Sequence, residues 1–163
     1  GDNSVLLEEC DILAPNALGG ILNGSTIPNL KTKIVCGAAN NQLLDPVADD
    51  LALKKRNIVY VPDYLNNRMG IVNCANEPYG RLDEDPAILR HFNREWENSV
   101  FVVTQKVLQI AKEKNIPTGQ AANQLADKMA EVPHPIFPHR GWQIVQSLVK
   151  QGWEKQQLPN WKW

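Results

Sequence analysis

The chain has 163 residues, a formal net charge of −1, three cysteines and 43% hydrophobic residues. This balance of charge offers no basic surface for a nucleic acid or an anionic membrane, and no apolar run is long enough to span a bilayer. Cys10, Cys36 and Cys74 are too few and too widely spaced for a disulfide framework or a zinc ribbon. Each lies among apolar residues, which predicts small buried side chains and a reducing, cytoplasmic environment.

Three short apolar runs, residues 12–14, 34–36 and 58–61, predict buried parallel strands. Helix-compatible segments precede the second and third runs, at residues 25–30 and 45–56. Asp45 as cap and Pro46 at the first helical position mark the start of the second segment. The pattern predicts an α/β fold in which about three strands form half of a doubly wound sheet, a partial Rossmann fold. We expect sequence before residue 1 to complete that sheet.

From residue 67 onward the sequence predicts helices only. Apolar residues recur every three or four positions along residues 86–114, which predicts one long amphipathic helix. Thr118 is expected to cap a further helix that ends near residue 129, and a last helix covers residues 141–151. We therefore divide the chain into residues 1–80, the carboxyl-terminal half of a dinucleotide-binding domain, and residues 81–163. This second part is predicted to be a helical extension that packs on the nucleotide domain and on a missing catalytic domain.

Three polar segments follow the predicted strands. They read Ala-Pro-Asn-Ala-Leu-Gly-Gly at residues 14–20, Gly-Ala-Ala-Asn-Asn-Gln at residues 37–42, and Pro-Asp-Tyr-Leu-Asn-Asn-Arg-Met-Gly at residues 62–70. Parallel sheets bind ligands at the carboxyl ends of their strands, and small residues there let the backbone approach a cofactor closely. Asn40 and Asn67 each offer an amide that donates and accepts hydrogen bonds. Asn41 and Asn66 are better explained as local caps, which is also the alternative for the other two.

Together these segments resemble the nucleotide domain of the glutamate/leucine/phenylalanine/valine dehydrogenase family. The family pattern reads roughly A-P-C-A-L-G, then G-(S/A)-A-N-N-Q, then P-D-Y-(V/L)-x-N-A-G-G; each motif alone is weak, and the three in order are specific. A weaker similarity extends to about residue 130. The resemblance implies oxidative deamination of an L-amino acid to a 2-oxo acid and ammonia, with NAD or NADP as cofactor. It also implies that the cofactor lies against five residues: Ala14, Pro15, Ala39, Asn40 and Asn67.

The chain contains neither a G-x-G-x-x-G turn nor the glycine-flanked lysine of the family. On resemblance, the catalytic lysine and aspartate belong to an amino-terminal domain, so no catalytic residue is assigned within these 163 residues. We expect the chain to be inactive alone and the intact protein to be a homo-oligomer. Because the residue that selects the cofactor follows the second strand of the family fold, NAD and NADP both stay open.

Two departures from the family pattern concern the substrate. Arg68 and Met69 replace two small residues after Asn67, and alignment through residues 116–118 brings Glu97 and Val100 into the side-chain pocket with Asn67 and Met69. A carboxylate is a poor neighbour for a leucine side chain. The pattern therefore resembles the tryptophan dehydrogenase branch, whose substrate carries an indole N–H donor. A one-residue slip in the alignment would instead leave Glu97 in solvent.

Other readings remain open at this stage. His134 and His139 have a spacing that zinc sites use, but they lack further ligands and lie among prolines, so we predict a surface connector and no metal site. Asp49 and Asp50 are expected on a solvated face or at a helix start. The late tryptophans are expected to pack against another domain or subunit. Alternatives to the fragment of a dehydrogenase are a non-catalytic nucleotide-binding or subunit-interaction domain, one half of a split enzyme, or another dehydrogenase with a shared nucleotide fold.

Overall fold

A computed structural model describes residues 4–80, 82–132 and 140–153 of the chain. Three parallel strands form an open sheet in the order β1 (Glu9–Leu13), β2 (Lys31–Val35) and β3 (Val59–Tyr60). The predicted three-stranded parallel sheet is thus confirmed. Its register aligns Leu13, Val35 and Tyr60 across one face and Ile12, Ile34 and Val59 across the other.

Helices make up most of the remaining described chain. A 3₁₀ helix, Ile27–Asn29, lies between β1 and β2, and α1 (Ala48–Lys55) connects β2 to β3. After the sheet come α2 (Asp63–Asn66), α3 (Met69–Asn76), α4 (Pro86–Leu89), α5 (Val100–Lys114), α6 (Thr118–Ala130) and α7 (Arg140–Lys150). Further 3₁₀ turns cover Ser4–Leu7, Glu77–Tyr79 and Arg90–Phe92. None of the described helices has the length and apolar character that crossing a lipid bilayer requires.

Two apolar clusters stabilise this architecture. The first lies under one face of the sheet and consists of Leu6, Leu22, Ile27, Leu30, Val35, Leu53, Ile58 and Tyr60. The second joins α5 to α6 through Val107, Ala111, Ala121 and Ala122. On the opposite sheet face, Ile12 is 57% exposed and Val59 is 40% exposed. One face of the sheet is therefore packed, while the other presents apolar side chains.

The start of α1 follows the prediction only in part. Asp45 Oδ1 accepts hydrogen bonds from the amides of Val47 and Ala48, each at 2.9 Å, as expected, but α1 begins at Ala48, so Pro46 is not its first residue as predicted. Those amides hold the pKa of the Asp45 carboxyl below its usual value. Asp49 and Asp50 lie in the first turn of α1, as one of the two expectations had it, but both are buried, so the expectation of a solvated face is wrong.

The start of α6 is capped by Asp50 and not, as predicted, by Thr118. Its Oδ2 atom accepts hydrogen bonds from the backbone amides of Gly119, at 2.9 Å, and Gln120, at 3.3 Å. Thr118 lies inside the helix, and its hydroxyl points to Asp50 Oδ1 at 3.5 Å. The cap is therefore supplied by a residue some seventy positions away, which local sequence patterns do not reveal.

The prediction of one helix over residues 86–114 is wrong. α4 and a 3₁₀ turn end at Phe92, and α5 begins only at Val100. Asn93 interrupts the helix because its side chain accepts hydrogen bonds from the amides of Glu95 and Trp96. Ser99 then starts a new helix by accepting from the amide of Val102 at 3.1 Å. Val103 and Val107 of the predicted apolar face are buried, whereas Leu89 and Phe92 are exposed.

Burial of the cysteines was also predicted too broadly. Cys10 and Cys36 are half-buried and Cys74 is exposed, each as a free thiol. Residues 1–125 form one compact unit, and residues 126–163 form a second that contains the end of α6 and α7. The predicted connector with His134 and His139 lies outside the described residues, as do Trp161, Trp163 and the side chain of Trp142.

Candidate nucleotide and substrate site

The three polar segments meet at the carboxyl ends of the strands. We call residues 14–20 the first segment, residues 37–42 the second and residues 62–70 the third. The amide of Ala39 donates to the carbonyl of Pro15 at 2.9 Å, and the amide of Ala38 donates to Asn16 Oδ1 at 2.8 Å. Pro15 and Ala39 are buried, while Ala14 is exposed. The first and second segments thus form one continuous wall.

Glycine is required where these two segments cross. A Cβ atom on Gly37 would lie 2.1 Å from the carbonyl oxygen of Pro15 and 2.3 Å from its nitrogen. A Cβ atom on Gly19 would lie 2.7 Å from the carbonyl oxygen of Asn40. Both obstacles are backbone atoms, which cannot rotate away. The sequence analysis expected small residues here to let a cofactor approach the backbone. In the structure, these glycines let the two segments approach each other.

The third segment is joined to the second through Asp63, a residue that sequence reasoning did not single out. Asp63 is buried; its Oδ2 atom accepts from the amide of Asn41 at 2.9 Å, and its Oδ1 atom accepts from the Tyr60 hydroxyl at 3.1 Å. Burial and the nearby carboxylate raise the pKa of Tyr60. The tyrosine therefore stays a hydrogen-bond donor. In the sequence, an acidic residue just after a predicted strand was the signal that could have revealed Asp63.

Asn40 and Asn67 come together, as the two segments approach. Asn67 Nδ2 donates to Asn40 Oδ1 at 2.6 Å and to the carbonyl of Ala38 at 3.3 Å. Within the described residues, Asn67 Oδ1 and Asn40 Nδ2 make no hydrogen bond to protein. The pair thus presents one acceptor and one donor side by side, which is the complement of a primary carboxamide.

The asparagines next to this pair have other roles. The backbone of Asn41 has a positive φ of 53°, and its carbonyl accepts from the amide of Gly20 at 2.7 Å, so Asn41 forms a turn. Asn66 was expected to cap a helix, but its Nδ2 atom contacts Cys36 Sγ at 3.2 Å inside the fold. The prediction of a local cap is therefore wrong for Asn66.

Gln42 is a second residue that the sequence reasoning missed. Its side chain is fully buried, and Nε2 donates to the carbonyls of Gly37 and Ala39 at 2.5 and 3.0 Å. These bonds hold the second segment in its turn, with the glutamine side chain on the buried side. A glutamine that directly precedes the apolar pair Leu43 and Leu44 was the signal that could have revealed it.

The proposed side-chain pocket involves the junction of α2 and α3. Met69 is the first residue of α3 and half-buried, Val100 is the first residue of α5 and half-buried, and Glu97 lies exposed in the loop before α5. Arg68 donates from Nη2 to the carbonyl oxygen of Asn98. The structure thereby joins the neighbours of Asn67 to the loop that carries Glu97.

A separate cavity of about 670 Å³ lies on another side of the segments. Its walls include Asn41, Leu44, Val47 and Tyr64, and its lining does not include Asn40 or Asn67. Burial raises the pKa of Tyr64 to about 12, with a smaller contribution from Asp50. Because the Asn40–Asn67 pair lies outside this cavity, we locate the candidate site by its converging polar groups and not by cavity size.

The chain is similar to known proteins over most of its length. Residues 1–132 match the profile that describes glutamate/leucine/phenylalanine/valine dehydrogenases. The chain belongs to this dehydrogenase family. It is 42% identical over 129 residues to leucine dehydrogenase of Geobacillus stearothermophilus, covering 79% of this chain and 33% of that protein. It is 42% identical over 137 residues to valine dehydrogenase of Streptomyces coelicolor, covering 82% of this chain and 35% of that protein.

A solved member of the family has the same fold. The crystal structure of L-tryptophan dehydrogenase from Nostoc punctiforme superimposes with a TM-score of 0.67 at 39% identity, over 76% of this chain and 35% of that one. The sheet is therefore of the Rossmann type. The chain spans about a third of the length of these relatives. Since the identities are so similar, they do not separate the leucine, valine and tryptophan branches.

Proposed function

We propose that this chain forms the nicotinamide-facing wall of an NAD(P)-dependent dehydrogenase that oxidatively deaminates an L-amino acid. The products would be a 2-oxo acid and ammonia. The observation that carries the proposal is the 2.6 Å hydrogen bond between Asn67 and Asn40. It joins two family motifs at the carboxyl ends of adjacent parallel strands, where Rossmann folds bind nucleotides.

The residues present fit the nicotinamide end of NAD or NADP. The acceptor Asn67 Oδ1 and the donor Asn40 Nδ2 would hold a carboxamide or a ribose hydroxyl. Ala14, Pro15 and Ala39 would provide backbone surface beside it, because none of them carries a long side chain. The bound nicotinamide would supply the hydride acceptor, while the fold supplies position and electrostatics.

For the substrate, we propose a pocket lined by Asn67, Met69, Glu97 and Val100. Glu97 is exposed, and its carboxylate makes no salt bridge within the described residues. A bound leucine side chain would displace water from that carboxylate and offer no hydrogen bond in return, whereas an indole N–H would donate to it. We therefore favour a large aromatic substrate of the tryptophan type over a branched aliphatic one.

We further propose that catalysis requires an amino-terminal domain carrying the lysine and aspartate of the family. The aligned side chains of Ile12, Ile34 and Val59 make one sheet face apolar, with Ile12 and Val59 exposed on it, and within the described residues β1 pairs with β2 alone. Doubly wound sheets cover both faces and extend beyond such a strand. By this proposal residues 1–80 complete a dinucleotide-binding domain, residues 81–163 are its helical extension, and the intact enzyme is a cytoplasmic homo-oligomer.

Replacing Asn67 by alanine tests the proposed site. In the intact enzyme, meaning this chain together with the proposed catalytic domain, we expect Asn67→Ala to lower kcat/KM about tenfold or more. The physical reason is the loss of one ligand hydrogen bond and of the partner that orients Asn40. Initial rates would be measured with a panel of L-amino acids and with NAD and NADP.

Asn73→Ala is the matched control, because Asn73 lies exposed on α3, away from the pair. We expect it to retain wild-type rates. Equal rates for the Asn67→Ala variant and the wild type would contradict the proposed role of Asn67. Binding of NAD(P) without oxidation of any amino acid by the intact enzyme would favour a non-catalytic nucleotide-binding protein. Clear turnover by the 163-residue chain alone would refute its expected inactivity.

A further inference from the structure

Arg68 links the proposed cofactor wall to the loop before α5. It follows Asn67 directly and lies between α2 and α3. Its guanidinium donates to the carbonyl oxygen of Asn98, thirty residues later in the chain. Asn98 is preceded by Glu97 and followed closely by Val100, so this one hydrogen bond connects both sides of the proposed side-chain pocket.

The loop of residues 93–99 depends on such contacts for its position. Its internal hydrogen bonds are local: Asn93 Oδ1 accepts from the amides of Glu95 and Trp96, and the amide of Ser99 donates to the carbonyl of Trp96. Two cationic side chains hold its end by donating to backbone carbonyl oxygens: Lys106 Nζ donates to Glu97 O at 3.1 Å, and Arg68 Nη2 donates to Asn98 O. The Lys106 contact is exposed, whereas the Arg68 contact is partly buried. Because solvent competes less for a buried bond, Arg68 contributes more to the position of the loop.

A structural role alone does not explain the arginine at position 68, because its burial opposes folding. Its Nε atom is buried, and no hydrogen-bond partner for it exists within the described residues. Burial lowers the pKa of the Arg68 guanidinium, which nevertheless stays charged. A buried donor without an acceptor opposes folding, and such local conflicts concentrate at functional sites. The family pattern has a small residue here, which avoids that cost.

We propose that Arg68 is a positioning residue that determines substrate specificity. By holding Asn98 against the residue that follows Asn67, it places Glu97 and Val100 at the side-chain end of the proposed amino-acid site and favours a large side chain with a hydrogen-bond donor. This inference rests on the proposed function. Arg68 itself does not contact the reacting atoms.

The first test measures the link itself in this chain, by hydrogen exchange. Arg68→Ala should speed exchange of the amides in residues 93–99 about fivefold or more, because removal of the charged hydrogen bond frees the loop. Exchange in α1 and α6 should stay at the wild-type rate, which separates loop release from general unfolding. Arg68→Lys should restore part of the protection, since lysine keeps a charged donor but lacks the planar guanidinium.

The second test measures specificity in the intact enzyme. Arg68→Ala should raise KM for tryptophan about tenfold while KM for leucine and for the nucleotide changes less than about twofold. Lys112→Ala is the control for removal of a cation, because Lys112 lies exposed on α5, outside the loop of residues 93–99. This control should leave both substrates and the loop exchange unchanged.

The possible outcomes separate this inference from the proposed function. Equal effects of Arg68→Ala on tryptophan and leucine, or unchanged exchange in residues 93–99, would overturn the role of Arg68. A wild-type intact enzyme that oxidises no amino acid would instead overturn the proposed function and, with it, the specificity role. In that case the exchange experiment on this chain would still decide whether Arg68 fixes the loop.

Discussion

Gly37→Ala is expected to destabilise the fold by about 3 kcal/mol or more, which is the largest loss of stability that we predict. An added Cβ would lie 2.1 Å from the carbonyl oxygen of Pro15, 2.3 Å from its nitrogen and 2.5 Å from its Cδ atom. The first and second segments would have to separate, which stretches the hydrogen bond between Ala39 and Pro15. Denaturant unfolding followed by circular dichroism would measure the change in the free energy of unfolding.

Gly24→Ala is the control for the Gly37 substitution. A Cβ on Gly24 would have no atom within 4 Å, so the same chemical change meets open space. We expect its free energy of unfolding to stay within about 0.5 kcal/mol of the wild type. Similar stabilities for the two variants would show that the crossing of the two segments tolerates a side chain and would contradict the steric argument.

Asp50→Ala is expected to destabilise the fold by about 2 to 3 kcal/mol. The substitution removes the acceptor for the amides of Gly119 and Gln120 at the start of α6. Loss of a helix cap costs about 1 kcal/mol, and a buried amide left without a partner adds about 1 kcal/mol or more. Thermal or denaturant unfolding would measure this loss. Asp127→Ala is the control, because Asp127 lies exposed on α6.

Asp50→Asn separates the cap from the charge. Asparagine keeps an acceptor oxygen for Gly119 but carries no charge, so we expect a loss smaller than that of Asp50→Ala. A result in which the asparagine and alanine variants lose the same stability would mean that the negative charge, and not the acceptor, stabilises the start of α6.

The effect of Asp50 should also depend on pH in a defined direction. Burial raises the pKa of the Asp50 carboxyl above its ordinary value of 3.8, against the opposing effect of the amides. The folded state therefore binds the proton more tightly than the unfolded state does. Relative to Asp50→Asn, the wild type should gain stability as pH falls from 7 through the folded-state pKa, with the gain complete below 3.8. A relative loss of stability over that range would contradict this sign.

The elements that sequence patterns predicted well are those with a local cause. Short apolar runs between turn residues indicated β1, β2 and β3, because a buried parallel strand must be apolar on both faces. Asp45 before Pro46 indicated the capped start of α1. In contrast, the apolar period through residues 86–114 continued across a break, because the side chain of Asn93 competes for backbone amides and local periodicity does not register that competition.

The residues of the candidate site also fall into two groups, those with a local sequence signal and those whose partners are distant or hidden. Sequence order alone brought Asn40 and Asn67 into consideration, since each follows a strand and lies in a family motif. Asp63 and Gln42 escaped notice because their roles are set by partners that lie on other segments or face the inside of a loop. Asp50 was expected on a solvated face or at a helix start; it lies in the first turn of α1, and its burial was not foreseen because its partners Gly119 and Gln120 are about seventy residues away.

By itself, then, the sequence determined the family, the parallel sheet and the three segments that follow its strands. Those features follow from local patterns of apolar, small and turn-forming residues, which act within a few positions of each other. Only the tertiary structure decided that Asn67 donates to Asn40, that Asp50 caps α6 and that Arg68 reaches the loop before α5. The physical reason is that a hydrogen bond depends on distances of about 3 Å between atoms, and chain folding sets those distances for residues far apart in sequence.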